Sequence, residues 1–256
     1  MGESTVNQAI CGYLKHLEGD QQIKVLYAVE SGSRAWGFAS LDSDFDIRFL
    51  YSHRRDWYLT VQKRRDVIEA MVDPELDFAG WDLPKALGLL RKSNPSLIEW
   101  LASPIVYAED SAFMVDFREL ASRCLSLNAC LQHYLNMANS NYLSYFGTDQ
   151  VLLKKYLYVL RPIFACRWIE RYRSAPPIVF QELLAGAGES GDVAHELKEL
   201  LIAKAAVSEL GAGAHRLVLD RFIESELERL KKLKLPSQTP VEFEDLDEFF
   251  QKWIGS

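Results

Sequence analysis

Cysteine is scarce in this chain and long apolar runs are missing. Four cysteines occur in 256 residues (Cys11, Cys124, Cys130 and Cys166), and no two of them stand in a C-x-x-C pair. That scarcity excludes a disulfide framework or a cysteine zinc site and fits free, mostly buried thiols in a reducing compartment. Charges break every apolar stretch before it reaches membrane-spanning length, so no transmembrane helix is expected. The first residues, Met1 to Val6, lack the basic segment and apolar stretch of a secretory signal, and the expected location is the cytoplasm. A cationic excess is missing too: 29 Lys and Arg against 36 Asp and Glu give a net charge of -7. This argues against a whole-surface nucleic-acid binder, while local basic clusters leave a nucleic-acid substrate open. What remains is 48% hydrophobic and 25% charged, enough for a full core in one large domain or two small ones.

The hydrophobic period changes along the chain. Residues 5–18 read as an amphipathic helix capped by Ser4 or Thr5, with Ile10, Leu14 and Leu17 as its apolar positions. Strands are expected at 25–30, 44–51, 66–71 and 76–81, the last two joined by the turn Asp73-Pro74-Glu75. A short strand is read at 57–61 and an edge strand at 104–107. Asp82-Leu83-Pro84 opens a helix with an acidic cap and a proline in its first turn, and Asn94-Pro95 opens another. From about residue 111 the period is helical throughout, with helices near 112–125, 128–146, 150–173, 178–185, 192–208, 213–234 and 243–254. Pro162 is expected to kink the third of these. Strands followed by a run of helices predict an α+β head over 1–110 and an all-helical domain over 111–256. No sustained heptad seam sets an oligomeric state.

The chemistry concentrates between residues 25 and 51. An apolar run leads into Ser31-Gly32-Ser33, and ten residues after Ser33 the chain reads Ser43-Asp44-Phe45-Asp46-Ile47-Arg48-Phe49. In a strand Asp44 and Asp46 project to one side while Phe45, Ile47 and Phe49 face a core. Paired carboxylates repel unless a cation lies between them, and hard oxygen donors suit Mg²⁺. Gly32 lets backbone approach a phosphate without a Cβ clash, and the Ser33 hydroxyl can donate to a phosphate oxygen. Metal plus phosphate cradle points to nucleotidyl transfer. The plainer alternatives are an ordinary turn and a solvated strand face, but two aspartates inside a strand run against β-propensity. Gly37 reads as a loop glycine and Asp42 as a turn stabiliser, whereas Ser43 is either a turn former or a donor to the first aspartate. Arg34 and Arg48 flank the pair and are candidates for the triphosphate.

Gly-Ser, a spacer of about ten, then Asp-apolar-Asp-apolar resembles the signature of the DNA polymerase β-like nucleotidyltransferase superfamily. Gly80-Trp81-Asp82-Leu83, Lys92-Ser93-Asn94-Pro95 with Glu99-Trp100-Leu101, and Lys154-Lys155-Tyr156 through Arg161-Pro162 to Arg167-Trp168 resemble its RNA-repair-pathway, RNA-ligase-associated branch. The resemblance implies a small mixed β-sheet head flanked by helices and a helical C-terminal domain. It also implies two Mg²⁺ ions (Mn²⁺ as a substitute) and transfer of a nucleoside monophosphate from an NTP such as ATP to a hydroxyl. Asp44 and Asp46 would bridge both metals. A third carboxylate from a later strand would complete the catalytic set; Asp77 is the choice and Asp82 the alternative, since Asp82 already suits a helix cap. Related enzymes hold base and phosphates with a helical second domain, and Lys154, Tyr158 and Arg161 share one helix face there. RNA is a candidate acceptor. A small molecule, a protein side chain (as in antitoxin-like adenylylating members) and a non-catalytic nucleotide-binding regulatory module stay open.

Overall fold

A computed structural model describes residues 3–40, 43–147, 150–188, 191–206, 211–236 and 238–254. The elements run α1 (Glu3–Gln21), β1 (Ile23–Glu30), α2 (Gly32–Ala35), β2 (Phe45–His53), α3 (Arg55–Tyr58), β3 (Val67–Asp73), β4 (Leu76–Asp82), α4 (Leu83–Arg91), α5 (Pro95–Leu101), β5 (Val106–Glu109) and α6 (Ser111–Cys124). There follow α7 (Leu127–Tyr145), β6 (Val151–Leu152), α8 (Lys154–Tyr172), α9 (Phe180–Ala187), α10 (Gly191–Ala206), β7 (Ala212–Gly213), α11 (Leu217–Lys231) and α12 (Phe243–Trp253). The fold class is α+β. Two compact units divide the chain: Met1–Ala35, Asp44–Leu125 and Thr239–Ser256 form the sheet unit, and Trp36–Ser43 with Ser126–Gln238 form the helical unit.

The sheet unit holds five strands in the order β3-β4-β2-β1-β5. β2 and β4 are parallel while the other pairs are antiparallel, so the sheet is mixed. The alternation read in the sequence fixes which side of β2 is buried where. Ile47, Phe49 and Tyr51 join Ile10, Leu14 and Leu17 of α1 in one core layer. Leu50, on the alternate face, packs with Leu83, Leu87, Trp100, Phe113, Phe117 and Trp253 in the other. Gly80 lies opposite Phe49 in the parallel register, and an added Cβ there would stand 2.2 Å from the Phe49 ring. Only glycine fits that ladder position.

The sheet unit runs through α6 to Leu125, and the segment that carries α12 also belongs to it. Phe113 and Phe117 of α6 stack at 5.1 Å, and Trp253 of α12 meets Phe113 edge-on at 5.2 Å. Each such buried aromatic contributes about 2–3 kcal/mol of transfer free energy, which outweighs the helical period that α6 and α12 share with the later segments. Two smaller differences are local. Residues 57–61 do not form a strand: Trp57 and Tyr58 belong to the helical turn α3, where the Trp57 ring stacks on His53 at 3.7 Å. The first helix runs from Glu3, so Thr5 lies inside it and does not precede it as a cap.

In the helical unit, α7 packs against α8, whose buried side includes Tyr156, Leu157, Leu160, Ile163, Phe164 and Ile169. α8 continues from Lys154 to Tyr172 through Pro162. Among the described residues no helix is long and apolar enough to cross a membrane. All four cysteines are free thiols, three of them buried.

Candidate active site

Strand register builds the site. β2 and β4 run side by side with Asp46 opposite Asp77, so the parallel pairing brings together carboxylates separated by 31 positions of sequence. Asp77 alternates with the core residues Leu76 and Phe78, just as Asp46 alternates with Ile47. Asp44 lies one residue before β2 and is exposed, so it stands at the strand mouth and outside the ladder expected for it. Its main-chain carbonyl accepts from Arg34 Nε at 3.2 Å, and the Arg34 guanidinium lies 3.7 Å above the Phe45 ring.

The small-residue turn presses on the second aspartate. Gly32 has φ +61°, and a Cβ there would stand 2.1 Å from Asp46 Oδ2. Both the left-handed backbone and the missing side chain are therefore required at this position. The Ser31 N–H donates to the Asp46 carbonyl at 2.8 Å, locking the turn to β2. Ser33 is half-buried, and its hydroxyl makes no hydrogen bond among the described residues. Asp42 lies outside the described residues. Ser43 Oγ accepts from the Ser40 N–H at 2.9 Å, the part of a turn former.

Arg48 sits between the carboxylates. Its Nη2 donates to Asp46 Oδ1 and to Asp77 Oδ2, each at 2.8 Å. Burial holds the Asp46 carboxyl above the usual carboxylate range; Arg48 opposes this, and the negative charges of Asp77 and Asp44 add to it. Asp82, the alternative third carboxylate, is at the far end of β4. There it accepts from the Leu83 N–H at 2.8 Å and from the Tyr58 hydroxyl at 2.6 Å. It is 4% exposed, and burial raises it to about 6. The structure gives Asp82 a cap's work and does not bring it to Asp46.

Sequence reasoning missed Glu30. This last residue of β1 is fully buried, accepts from the Asp46 N–H at 2.8 Å through Oε1, and receives the Tyr107 hydroxyl on Oε2. Its carbonyl accepts from Ser103 Oγ at 2.6 Å. Burial pushes the Glu30 carboxyl up. The available signal was a lone acid ending an apolar run directly before Ser31-Gly32.

The other expected nucleotide contacts belong to the helical unit. Lys154 opens α8 and is half-buried. Tyr158 meets the Trp36 ring edge-on at 6.1 Å, with Lys155 Nζ 5.1 Å above it. Arg161 is 3% exposed, lies 4.4 Å over the Trp36 ring and donates to the Ile178 carbonyl, an interior role.

The donor set suits a hard divalent cation, being carboxylate oxygens crowded by like charge. Among the described residues no three His, Cys, Asp or Glu side chains converge as a preformed metal cage; the guanidinium of Arg48 stands where Asp46 and Asp77 meet.

Comparison with known proteins places the chain. The uncharacterized protein YcgL of Bacillus subtilis (strain 168) is 43% identical over 225 residues, 88% of this chain and 86% of that protein. A solved nucleotidyltransferase-like protein from Exiguobacterium sibiricum 255-15 is 11% identical, over 89% of this chain and 76% of that one, with a TM-score of 0.31. The sequence model of the RNA repair pathway DNA polymerase beta family matches residues 6–252, and the chain belongs to that family.

Proposed function

We propose that the protein transfers a nucleoside monophosphate from an NTP to a hydroxyl acceptor, with RNA the favoured acceptor class. The observation that carries this reading is the in-register pairing of Asp46 with Asp77 beside a glycine turn that admits no side chain. The acceptor oxygen forms a bond to the α-phosphorus as the bond to the β-phosphate oxygen breaks; pyrophosphate leaves, and the hydroxyl proton passes to a carboxylate. Asp77, the more exposed of the paired acids at 40% against 31%, suits that proton. Ser31 and Glu30 hold the backbone of residue 46 from its carbonyl and amide sides, fixing the Asp46 carboxylate. The open hydroxyl of Ser33 and the N–H groups of the turn suit phosphate oxygens. Mg²⁺ ions, or Mn²⁺ in their place, would be held by Asp46 and Asp77 with Asp44, and would supply charge to stabilise the leaving pyrophosphate. The family's description, with RNA repair in its name, supports RNA over a small molecule or a protein side chain.

The test is incubation with each α-labelled NTP, Mg²⁺ and either RNA bearing a free 3′ hydroxyl or protein. Label on RNA that disappears in Asp46→Asn is the expected result. Label on protein would reassign the acceptor, and no label in any arm would leave a nucleotide-binding module without transfer.

A further inference from the structure

We propose that Arg48 is a resident counter-ion of the Asp46–Asp77 pair, and that binding of a divalent cation requires its release. This rests on the reading of those two acids as metal ligands. Metal alone then binds poorly, and metal arriving with a triphosphate binds well, because phosphate offers the arginine a new acceptor.

The geometry is that of a built contact. Nη2 spans both carboxylates at 2.8 Å, and Nη1 donates to the carbonyls of Ile47 and Asp77, each at 3.1 Å. One planar fork thus engages four acceptors, and its side chain is only 19% exposed. A chance surface pair in the same unit looks different: Arg65 and Glu69 meet through one contact, with side chains 68% and 63% exposed. Sequence position explains the placement. Arg48 follows Asp46 by two residues on β2 and therefore shares its face, and the parallel register sets Asp77 across from Asp46.

Two acids with one guanidinium between them carry a net single negative charge. A dication entering there meets a fixed positive charge at contact distance, and the two cannot share the same oxygens. Planar bidentate recognition of phosphate is what a guanidinium does well. Moving it from carboxylate to phosphate would free both acids for the metal in the same event. Nucleotide and metal would then bind cooperatively, by reciprocal linkage.

The experiment is calorimetric titration of Mn²⁺ into the full chain, Arg48→Gln, Arg48→Lys and Asp46→Asn, each with and without a non-hydrolysable α,β-methylene nucleoside triphosphate. The expected result is about tenfold tighter Mn²⁺ binding by Arg48→Gln in the absence of nucleotide, with a smaller response to nucleotide than the parent shows. Arg48→Lys, which keeps the charge and loses the fork, falls between the two and decides the matter if the glutamine variant fails to fold. Mn²⁺ binding by Arg48→Gln no tighter than by the parent, with Asp46→Asn losing it, overturns the counter-ion role and leaves the metal site standing. Asp46→Asn binding Mn²⁺ as the parent does overturns the metal-site reading and the proposal with it.

Discussion

The two ends of β4 carry the same residue type under opposite physics. Asp77, at the start, faces Asp46 across a parallel register, has a side chain 40% exposed and shares a guanidinium with its neighbour. Asp82, at the end, is 4% exposed and spends its carboxylate on a helix start and a tyrosine. Six residues hold the candidate catalytic acid, the glycine that clears Phe49 and the structural acid. Residue type therefore says little about role here; what decides it is which strand stands alongside and how much water remains.

The comparison breaks most visibly if the two acids can be exchanged. Asp46→Asn and Asp77→Asn are each expected to lower the transfer rate by about 10³-fold, while Asp82→Asn keeps it within about threefold. A labelled-NTP rate assay checks this, and equal losses at positions 77 and 82 would dissolve the contrast.

Next in size is a pH effect confined to the buried end. The Asp82 carboxyl is raised from 3.8 to about 6 in the folded chain. Between those values the folded protein keeps a proton that the unfolded chain releases, so stability falls as pH climbs from about 4 to about 6 and is flat above. The shift corresponds to about 3 kcal/mol. Asparagine can still cap α4 and accept from Tyr58, so urea unfolding of Asp82→Asn should lack that slope. An undiminished slope would trace it to another group.

Gly80→Ala tests the middle of the strand. The Cβ would meet the Phe49 ring at 2.2 Å, and the expected cost is about 2 kcal/mol of stability, read from the urea midpoint. Unaltered stability would mean the core layer yields more easily than its packing indicates. Smallest is Tyr58→Phe, which removes a donor to Asp82 and an acceptor for the His53 N–H. A loss of about 1 kcal/mol is expected at pH 7, with no change in Mn²⁺ affinity.

Local chemistry was legible in the sequence and long-range pairing was not. The caps at Asp82 and Asn94, the hairpin through Pro74 and the alternation on β2 follow from residues within a few positions of one another. So did the glycine turn and the aspartates after it, because the spacer between them is short. Glu30 carried too little local signal: an acid ending a strand looks like a solvated end until Tyr107 and Ser103 arrive from a segment more than 70 positions on. Arg48 read as a phosphate candidate because its partner Asp77 becomes a neighbour only through β2–β4 pairing. The return of α12 is likewise invisible to a period that is the same in every helix.

Between Ser33 and Asp44 the described residues are anchored at several points. Trp36 accepts the Phe180 N–H on its carbonyl, Gly37 accepts from Gln181, and Ser40 receives Lys204, so this part of the spacer is bedded against helices α9 and α10. The sheet unit is threaded from three separate pieces of chain, and one of the joints between them is this bedded spacer. No single cut can therefore liberate a working head: a truncation at residue 125 discards both the last helix of the sheet unit and the anchorage of the strap that spaces glycine from aspartate. Dissecting this protein will call for point substitutions or a rearranged gene order, since trimming the ends would dismantle the sheet unit.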